Sequence, residues 1–303
     1  MSEYLTINPK EIPTGKLFGY LTGTVAPRPI AFASTIDKEG NVNLSPFSFF
    51  NVFGANPPTM IFSPSRRVRG NTTKHTLENV LEVPEVVINM VNYDMVQQMS
   101  LSSTAYPKGV NEFVKADFTQ VASEKIKPPR VGQSPAAFEC IVKEVIATGD
   151  SGGAGNLVIC EVVLAHFKKE IFNDLGHVDP FKMDAVARMG SNWYCRANGD
   201  KVFEVAKPLT TQGMGIDQLP EAIRNSRVLT GNDLGRLGNT EQLPTQEEIA
   251  DFATKNIHLL SLKGQKLSET ELTIQLHHLA HSYLEQGKVE QAWKVLLQSV
   301  RFI

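Results

Sequence analysis

RPIAFASTIDKEGNVNLSPFSFFNVFGANPPTMIFS, residues 28–63, carries three extended runs separated by two breaks. Pro29 to Ile36 is short and apolar, and Asp37-Lys38-Glu39-Gly40-Asn41 follows as a turn. Val42 to Phe53 resumes the extended pattern. Pro57-Pro58 then forces a rigid break before the strand Thr59 to Ser63. Inside the middle run, Ser45-Pro46-Phe47-Ser48-Phe49-Phe50-Asn51 mixes small hydroxyls with aromatics. Pro46 lacks an N–H, so the strand is not a fully paired central one at that point. Its free backbone groups can face a ligand; the plain alternative is a barrel strand alternating core aromatics with surface hydroxyls.

The same texture continues outward. Val86 to Val91 follows Pro84, which stops a preceding helix. Ala137 to Thr148 and Leu157 to Phe167 flank Gly149 to Asn156 and read as a hairpin with a long flexible loop. Short helices are expected over Lys74 to Leu81 and from Tyr93 through Met95 to Leu101, with Met95, Met99 and Val96 on one face of the second. Many short strands between turns favour a closed or sandwiched β architecture. No strand–helix alternation of Rossmann type is present. Residues 1–208 are therefore expected to form one mainly β domain.

Residues 209–303 read as a helical C-terminal extension, clearest beyond about 217. Leu272, Leu276, Leu279 and Tyr283 recur at helical steps, Gly287 interrupts, and Val289, Ala292, Trp293, Leu296 and Val300 recur again. An antiparallel helical hairpin is expected. LAHSYLEQGKVEQAW looks like one piece of a tetratricopeptide repeat, but one copy is not an array. The tail is either an appendage packed on the barrel or a docking site for a partner protein.

A formal net charge of -2 over 303 residues gives no electrostatic case for nucleic acid or an anionic membrane. Cys140, Cys160 and Cys195 are odd in number and lack CxxC spacing, so a reducing compartment is expected. Met1 to Lys16 holds no apolar signal core, and no run is long enough to span a membrane. A cytoplasmic location is the resulting expectation.

A second informative segment is Lys74-His75-Thr76-Leu77-Glu78-Asn79, preceded by Arg66, Arg67, Arg69 and Gly70-Asn71-Thr72-Thr73. Asn71, Thr72 and Thr73 are helix N-cap types, and Pro84 bounds the helix beyond its end. A helix N-terminus with Lys74, a Thr76 hydroxyl and nearby guanidinium groups makes a phosphate cradle. The alternative is a capped surface helix beside a solvated basic loop.

Together these segments resemble the flavin reductase-like FMN-binding proteins, close to the flavoredoxin subgroup. The resemblance rests on Arg28-Pro29-Ile30-Ala31, Ser34-Thr35, Asn43 to Asn51, Pro57-Pro58, Phe62-Ser63 and Lys74 to Asn79. It continues through Ser134-Pro135, Glu139-Cys140, Gly155 to Val163, and Ala187-Arg188-Met189-Gly190 with Tyr194, covering about residues 15 to 205 in order. It implies a Greek-key split β-barrel with short helices that forms a homodimer, with FMN near the interface. It further implies that Ser45, Pro46, Phe47, Ser48 and Phe49 line the flavin, and that Ser63, Lys74 and Thr76 hold the phosphate with an arginine, Arg69 being carried as the candidate. His75 stands where the family often has Asp. Ser34, Thr35, Asn51, Phe62 and Arg188 complete the implied cofactor-binding set, Arg188 on the flavin or nicotinamide side. FMN carries its own redox chemistry, so neither a catalytic side chain nor a metal is expected.

The resulting expectation is an FMN-dependent oxidoreductase taking hydride from NADH or NADPH. Electrons pass on to free flavin, a partner monooxygenase or another acceptor. The rivals are a flavoredoxin-type electron carrier without its own nicotinamide site, and a flavin-bound scaffold or sensor with a docking tail. Other signals are weaker. Gly152-Gly153-Ala154-Gly155 lacks nucleotide-loop spacing and reads as a hairpin loop. His277 and His281 lack a third ligand and read as surface residues. Asp174 to Asp179 only loosely matches the Gly-Asp-His motif of some flavin reductases and reads as a polar loop. His166 reads as structural, and Cys140 and Cys160 as interior.

Overall fold

The apolar run at the start of the quoted stretch forms strand β1 (Ala31–Ile36), all six residues of which are buried. It turns back through residues 37–41 into β2 (Val42–Phe47). There the Asp37 carboxylate accepts both the backbone N–H (2.8 Å) and the side-chain amide (2.9 Å) of Asn41. The expected middle run is broken at Ser48-Phe49, and β3 (Phe50–Ala55) and β4 (Pro58–Phe62) form a second hairpin about Asn56-Pro57. Then come β5 (Glu85–Asn89), the small pair β6 (Gln120–Val121) and β7 (Arg130–Val131), and the long strands β8 (Ala136–Ala147) and β9 (Asn156–Phe167). A computed structural model of the chain describes residues 3–205, 207–209 and 212–299.

The main sheet runs β2-β1-β5-β8-β9-β4-β3, antiparallel at every step. β2 and β3 lie at opposite ends of that order, yet only Ser48 and Phe49 separate them in the chain. Such a link spans roughly 11 Å fully extended. The sheet must therefore curl until its two edges approach, without hydrogen-bonding to each other. This is the split barrel expected from the sequence.

The barrel interior collects Ala31, Ala33, Phe47, Phe50, Met60, Phe62, Val86, Ile88, Val142 and Val158, and the helix His75–Glu82 closes it with Leu77 and Val80. Each large side chain buried there stabilises the fold by about 1.5–3 kcal/mol before entropy is counted. Cys140 and Cys160 are interior as well. Burial pushes both thiols up, Cys160 to about 12, which leaves them unreactive. Phe32, on the opposite face of β1, packs into a second cluster with Leu44, Met95, Met99 and Phe113. Helices α3 (Val96–Leu101) and α4 (Glu112–Lys115) supply part of this cover.

Several elements differ from the sequence reading. Helix α1 (Thr14–Thr24) was not anticipated: Gly15, Gly19 and Gly23 dilute its apolar pattern, and Thr22 is its buried residue. Helix α2 (His75–Glu82) has Lys74 at its N-cap with no side-chain capping bond, in place of Asn71, Thr72 or Thr73. The β8–β9 loop is tied down rather than free. The N–H of Arg66 donates to Ala154 O (2.9 Å) and that of Gly153 to Arg66 O (3.1 Å). A Cβ at Gly152 would sit 2.7 Å from the Val68 carbonyl. The segment 174–179 is a turn whose Asp179 caps α5 (Pro180–Met183), ahead of the hairpin β10 (Val186–Gly190) and β11 (Trp193–Arg196).

The chain divides into two compact units between Phe203 and Glu204. The second holds α6 (Glu221–Arg224), α7 (Gly231–Gly238), α8 (Gln246–Lys255), α9 (Ile257–Lys263), α10 (Glu269–Glu285) and α11 (Val289–Ser299). Thr230, Thr245 and Ser268 form capping boxes on α7, α8 and α10. The last two helices form the expected hairpin through Gly287 (φ +73°), around a fully buried Trp293. Val300 lies outside the described residues. His277 is not a surface residue: it is buried, with Nδ1 2.7 Å from the Ser226 hydroxyl, while His281 Nδ1 is 2.9 Å from Asp233. Among the described residues no group of three His, Cys, Asp or Glu side chains could hold a metal, and no helix is long and apolar enough to cross a membrane.

Candidate functional site

Beside edge strand β2 the first unit carries a chamber of about 440 Å³. Its apolar wall is Phe18 from α1, Ile30, Phe47 and Met99; its polar groups are Ser48, Ser100, Ser103, Lys74 and Arg188, with Pro46 and Tyr194 completing the lining. Polar and apolar groups share the lining about equally, and the volume falls within the usual range of a small-molecule site. As an edge strand, β2 pairs with β1 alone, so backbone groups on its other side are not taken by the ladder.

Lys74 and Ser103 also line a narrow polar cleft, which adds Asn43, Ser45, Arg67, His75, Thr76 and Glu112. At about 20 Å³ it has room for one small group in this conformation. The chamber and the cleft thus share Lys74 and Ser103 as common wall. Burial pushes the Lys74 ammonium below the ordinary lysine range, and the Arg67 guanidinium pushes it the same way. Among the described residues no carboxylate pairs with Lys74. Arg67 is aimed by two neutral acceptors, the Thr72 hydroxyl (3.0 Å) and the Thr73 carbonyl. Two adjacent cations that pair with no carboxylate, next to the first-turn N–H groups of α2, could hold an anion.

The floor of the cleft is a relay of hydrogen bonds. The Thr76 hydroxyl donates to Asn43 Oδ1 (2.7 Å), and the Asn43 amide donates to Glu112 Oε1 (3.0 Å). The Leu44 N–H donates to Glu112 Oε2 (3.0 Å). Burial pushes the Glu112 carboxyl up, against the pull of these donors. The relay ties α2, β2 and α4 together at the mouth of the anion site. Thr76 is 1% exposed, so its side chain orients the cleft rather than reaching into it.

The opposite wall is held by a pair of arginines. Arg28 and Arg188 exchange backbone hydrogen bonds (3.0 and 2.9 Å). The buried Arg28 guanidinium donates to the Thr22 and Val25 carbonyls at the end of α1. Burial lowers its affinity for the proton, and Arg188 adds to this. Arg188 lies over the Tyr194 ring, 4.5 Å from its centroid.

Of the residues named from sequence, the structure gathers Ser45, Pro46, Phe47, Ser48, Lys74, His75, Thr76 and Arg188 around these two joined spaces. Phe49 lies beside them against Phe18, ring centroids 5.9 Å apart. Arg67 lines the cleft; Arg69 is exposed and does not. Ser34 and Thr35 are buried within β1, Thr35 accepting from the Asn79 amide (3.1 Å). Phe62 lies in the barrel interior, and Ser63 accepts the Asn156 N–H (3.0 Å) near the docked β8–β9 loop. Asn51 is exposed on β3. Phe18, Ser103 and Glu112 were not singled out from sequence; each belongs to a short or glycine-rich element with no readable motif.

Comparison with known proteins agrees with this architecture. Residues 23–180, just over half of the chain, match the model of the flavin reductase like domain. An uncharacterized protein of Aquifex aeolicus is 35% identical over 196 residues, 65% of this chain and 97% of that one. Among solved structures, nitrilotriacetate monooxygenase component B from Bacillus cereus is 28% identical with a TM-score of 0.63, over 68% of this chain and 100% of that one. The 2-nitrobenzoate 2-nitroreductase of Pseudomonas fluorescens is 25% identical with a TM-score of 0.61, over 70% of this chain and 100% of that one. The chain belongs to the flavin reductase-like family of split-barrel proteins.

Proposed function

We propose that the protein binds FMN, its ring in the chamber and its phosphate at the Lys74 end, and acts as an NAD(P)H-dependent flavin reductase. The observation that carries this reading is that a chamber with one apolar wall and a cleft lined by Lys74 and Arg67, neither paired with a carboxylate among the described residues, share Lys74 and Ser103. Ring and phosphate of one mononucleotide need those two environments side by side. When bound, FMN supplies the two-electron hydride chemistry.

The chain's own residues bind, orient and exclude water. Phe18, Ile30, Phe47 and Met99 offer the ring a dry wall, while Ser48 and the free edge of β2 offer it polar partners. Lys74, Arg67 and the start of α2 fix the phosphate and so the register of the ring. Arg188, steadied on Tyr194, offers a cation for a nucleotide donor. The acceptor is free flavin, a partner monooxygenase or another small acceptor; similarity to a protein named as component B of a monooxygenase supports a partner. Function as a homodimer is supported by Val52 (58% exposed) and Phe53 (64% exposed) on edge strand β3. Work in the reducing cytoplasm is supported by three unpaired cysteines.

The test is anaerobic addition of NADH, then NADPH, to the FMN-loaded protein. Rapid bleaching by one of them supports the reductase and names its donor. Flavin that stays oxidised with both would contradict it and favour the electron carrier.

A further inference from the structure

Away from the flavin pocket, and sharing no residue with it, the first unit carries a second cavity of about 510 Å³. It lies between the β6–β7 hairpin and the adjoining ends of β8 and β9. Val121, Val131 and Phe167 give it apolar walls, and Arg130, His166 and Lys168 bring three basic groups to its lining. Among the described residues no acidic side chain lines it.

How these basic groups are held is the informative point. Arg130 is half-buried, and its Nε and Nη2 both donate to the Ala122 carbonyl (3.3 and 3.1 Å). The Lys168 ammonium donates to the Gln133 carbonyl (3.1 Å), and its nearest carboxylate, the well-exposed Glu170, stands 4.0 Å away. Neutral carbonyls position a cation without cancelling its charge, so two aimed positive charges remain at one cavity. His166 is fixed differently. Its Nε2 lies 2.7 Å from Glu139, a carboxylate 0% exposed that also accepts the N–H groups of Glu124 (2.8 Å) and Lys125 (2.7 Å). With Nε2 engaged, Nδ1 is left for another partner; the exposed Glu124 carboxylate stands 3.9 Å from it, beyond hydrogen-bond reach.

We infer that this cavity is a second small-molecule site, for an organic anion with an apolar body: a carboxylate between Arg130 and Lys168, and a ring or chain against Val121, Val131 and Phe167. Two cations match a single carboxylate or sulfonate. A polyphosphate would need more donors and would leave the apolar wall unused. The volume admits a ligand of one or two rings.

The test is calorimetric titration of the full-length protein with sodium benzoate, and with benzyl alcohol as the neutral isostere. Arg130→Gln and Lys168→Gln keep a polar group able to reach the same carbonyls while removing the charge. The expected result is saturable benzoate binding, weakened about tenfold or more in the double variant, with benzyl alcohol far weaker on the parent. His166 ring resonances should shift along the same benzoate isotherm. Absence of saturable binding would overturn the inference. So would binding that neither substitution moves, or equal binding of benzyl alcohol. Failure of the flavin reading would leave these outcomes unchanged, because no residue is shared.

Discussion

Lys74 occupies the position where burial and a neighbouring guanidinium both oppose its charge, and no carboxylate relieves it. A bound phosphate would. Lys74→Gln should therefore weaken FMN binding about tenfold or more, from the loss of a charge-assisted bond of roughly 1.5–3 kcal/mol. Riboflavin, which lacks the phosphate, should bind parent and variant alike; fluorescence titration of both ligands checks this. The sign of the pH effect follows from the lowered pKa. The ammonium must be charged to hold the phosphate, so FMN affinity falls as pH rises through a value below the ordinary lysine range. Above about pH 8 the phosphate itself stays dianionic, and the Lys74→Gln variant should lack this slope. At this scale the sequence was partly readable. Lys74 after Asn71, Thr72 and Thr73 suggests an anion site at a helix start, whereas Arg67 and Arg69 look alike in sequence. They were separated by the fold, which turns one into the cleft and leaves the other in solvent.

Turns set what the elements can do. The β8–β9 loop is a clamp on residues 66–68, and Gly152 is where the two backbones touch. Gly152→Ala should force a shift costing about 1–3 kcal/mol in denaturant unfolding. It should also weaken FMN binding, because Arg67 rides on the displaced segment. In the helical unit, Asp233 is the N3 partner of the Thr230 capping box on α7. It accepts the Thr230 N–H (2.8 Å) and hydroxyl (2.7 Å) and lies 2.9 Å from His281 Nδ1. Burial would raise its carboxyl, but these donors outweigh burial and hold it below the usual aspartate range. Its stabilising contribution is thus complete above the unfolded aspartate value of about 3.9 and is lost as pH falls through the lower folded value. Asp233→Ala should cost about 1–3 kcal/mol near neutrality and flatten that acid dependence. Trp293 fluorescence in a Trp193→Phe background would follow it. Strands β1, β4 and β5 were legible because Gly and Pro punctuate them; the break between β2 and β3 was not, because Ser48-Phe49 carries neither. Helix α1 was not, because three glycines four apart leave no apolar stripe, and the docked loop was not, because glycine runs look the same whether free or pinned.

For the whole molecule, a two-residue link between strands at opposite ends of the sheet order requires closure, and closure gathers β2, α2 and α1 around one chamber. The colinear motifs carried that fold in the sequence. The shared wall of chamber and cleft at Lys74 was not visible there, since Phe18 lies far in the chain from Ser103 and Glu112, and both lie away from Lys74. Edge strand β3 leaves Val52 and Phe53 exposed, as an edge that a second copy covers would. The proposed homodimer predicts that the parent runs as a dimer and Phe53→Asp as a monomer in light scattering. The central claim is that the chamber and the Lys74 cleft together bind FMN. Its most direct test is to incubate the full-length protein with excess FMN, remove free ligand by gel filtration and record the absorbance spectrum. The account predicts visible flavin bands at about one FMN per chain, sharply reduced in Lys74→Gln. A colourless protein after repeated loading would contradict it.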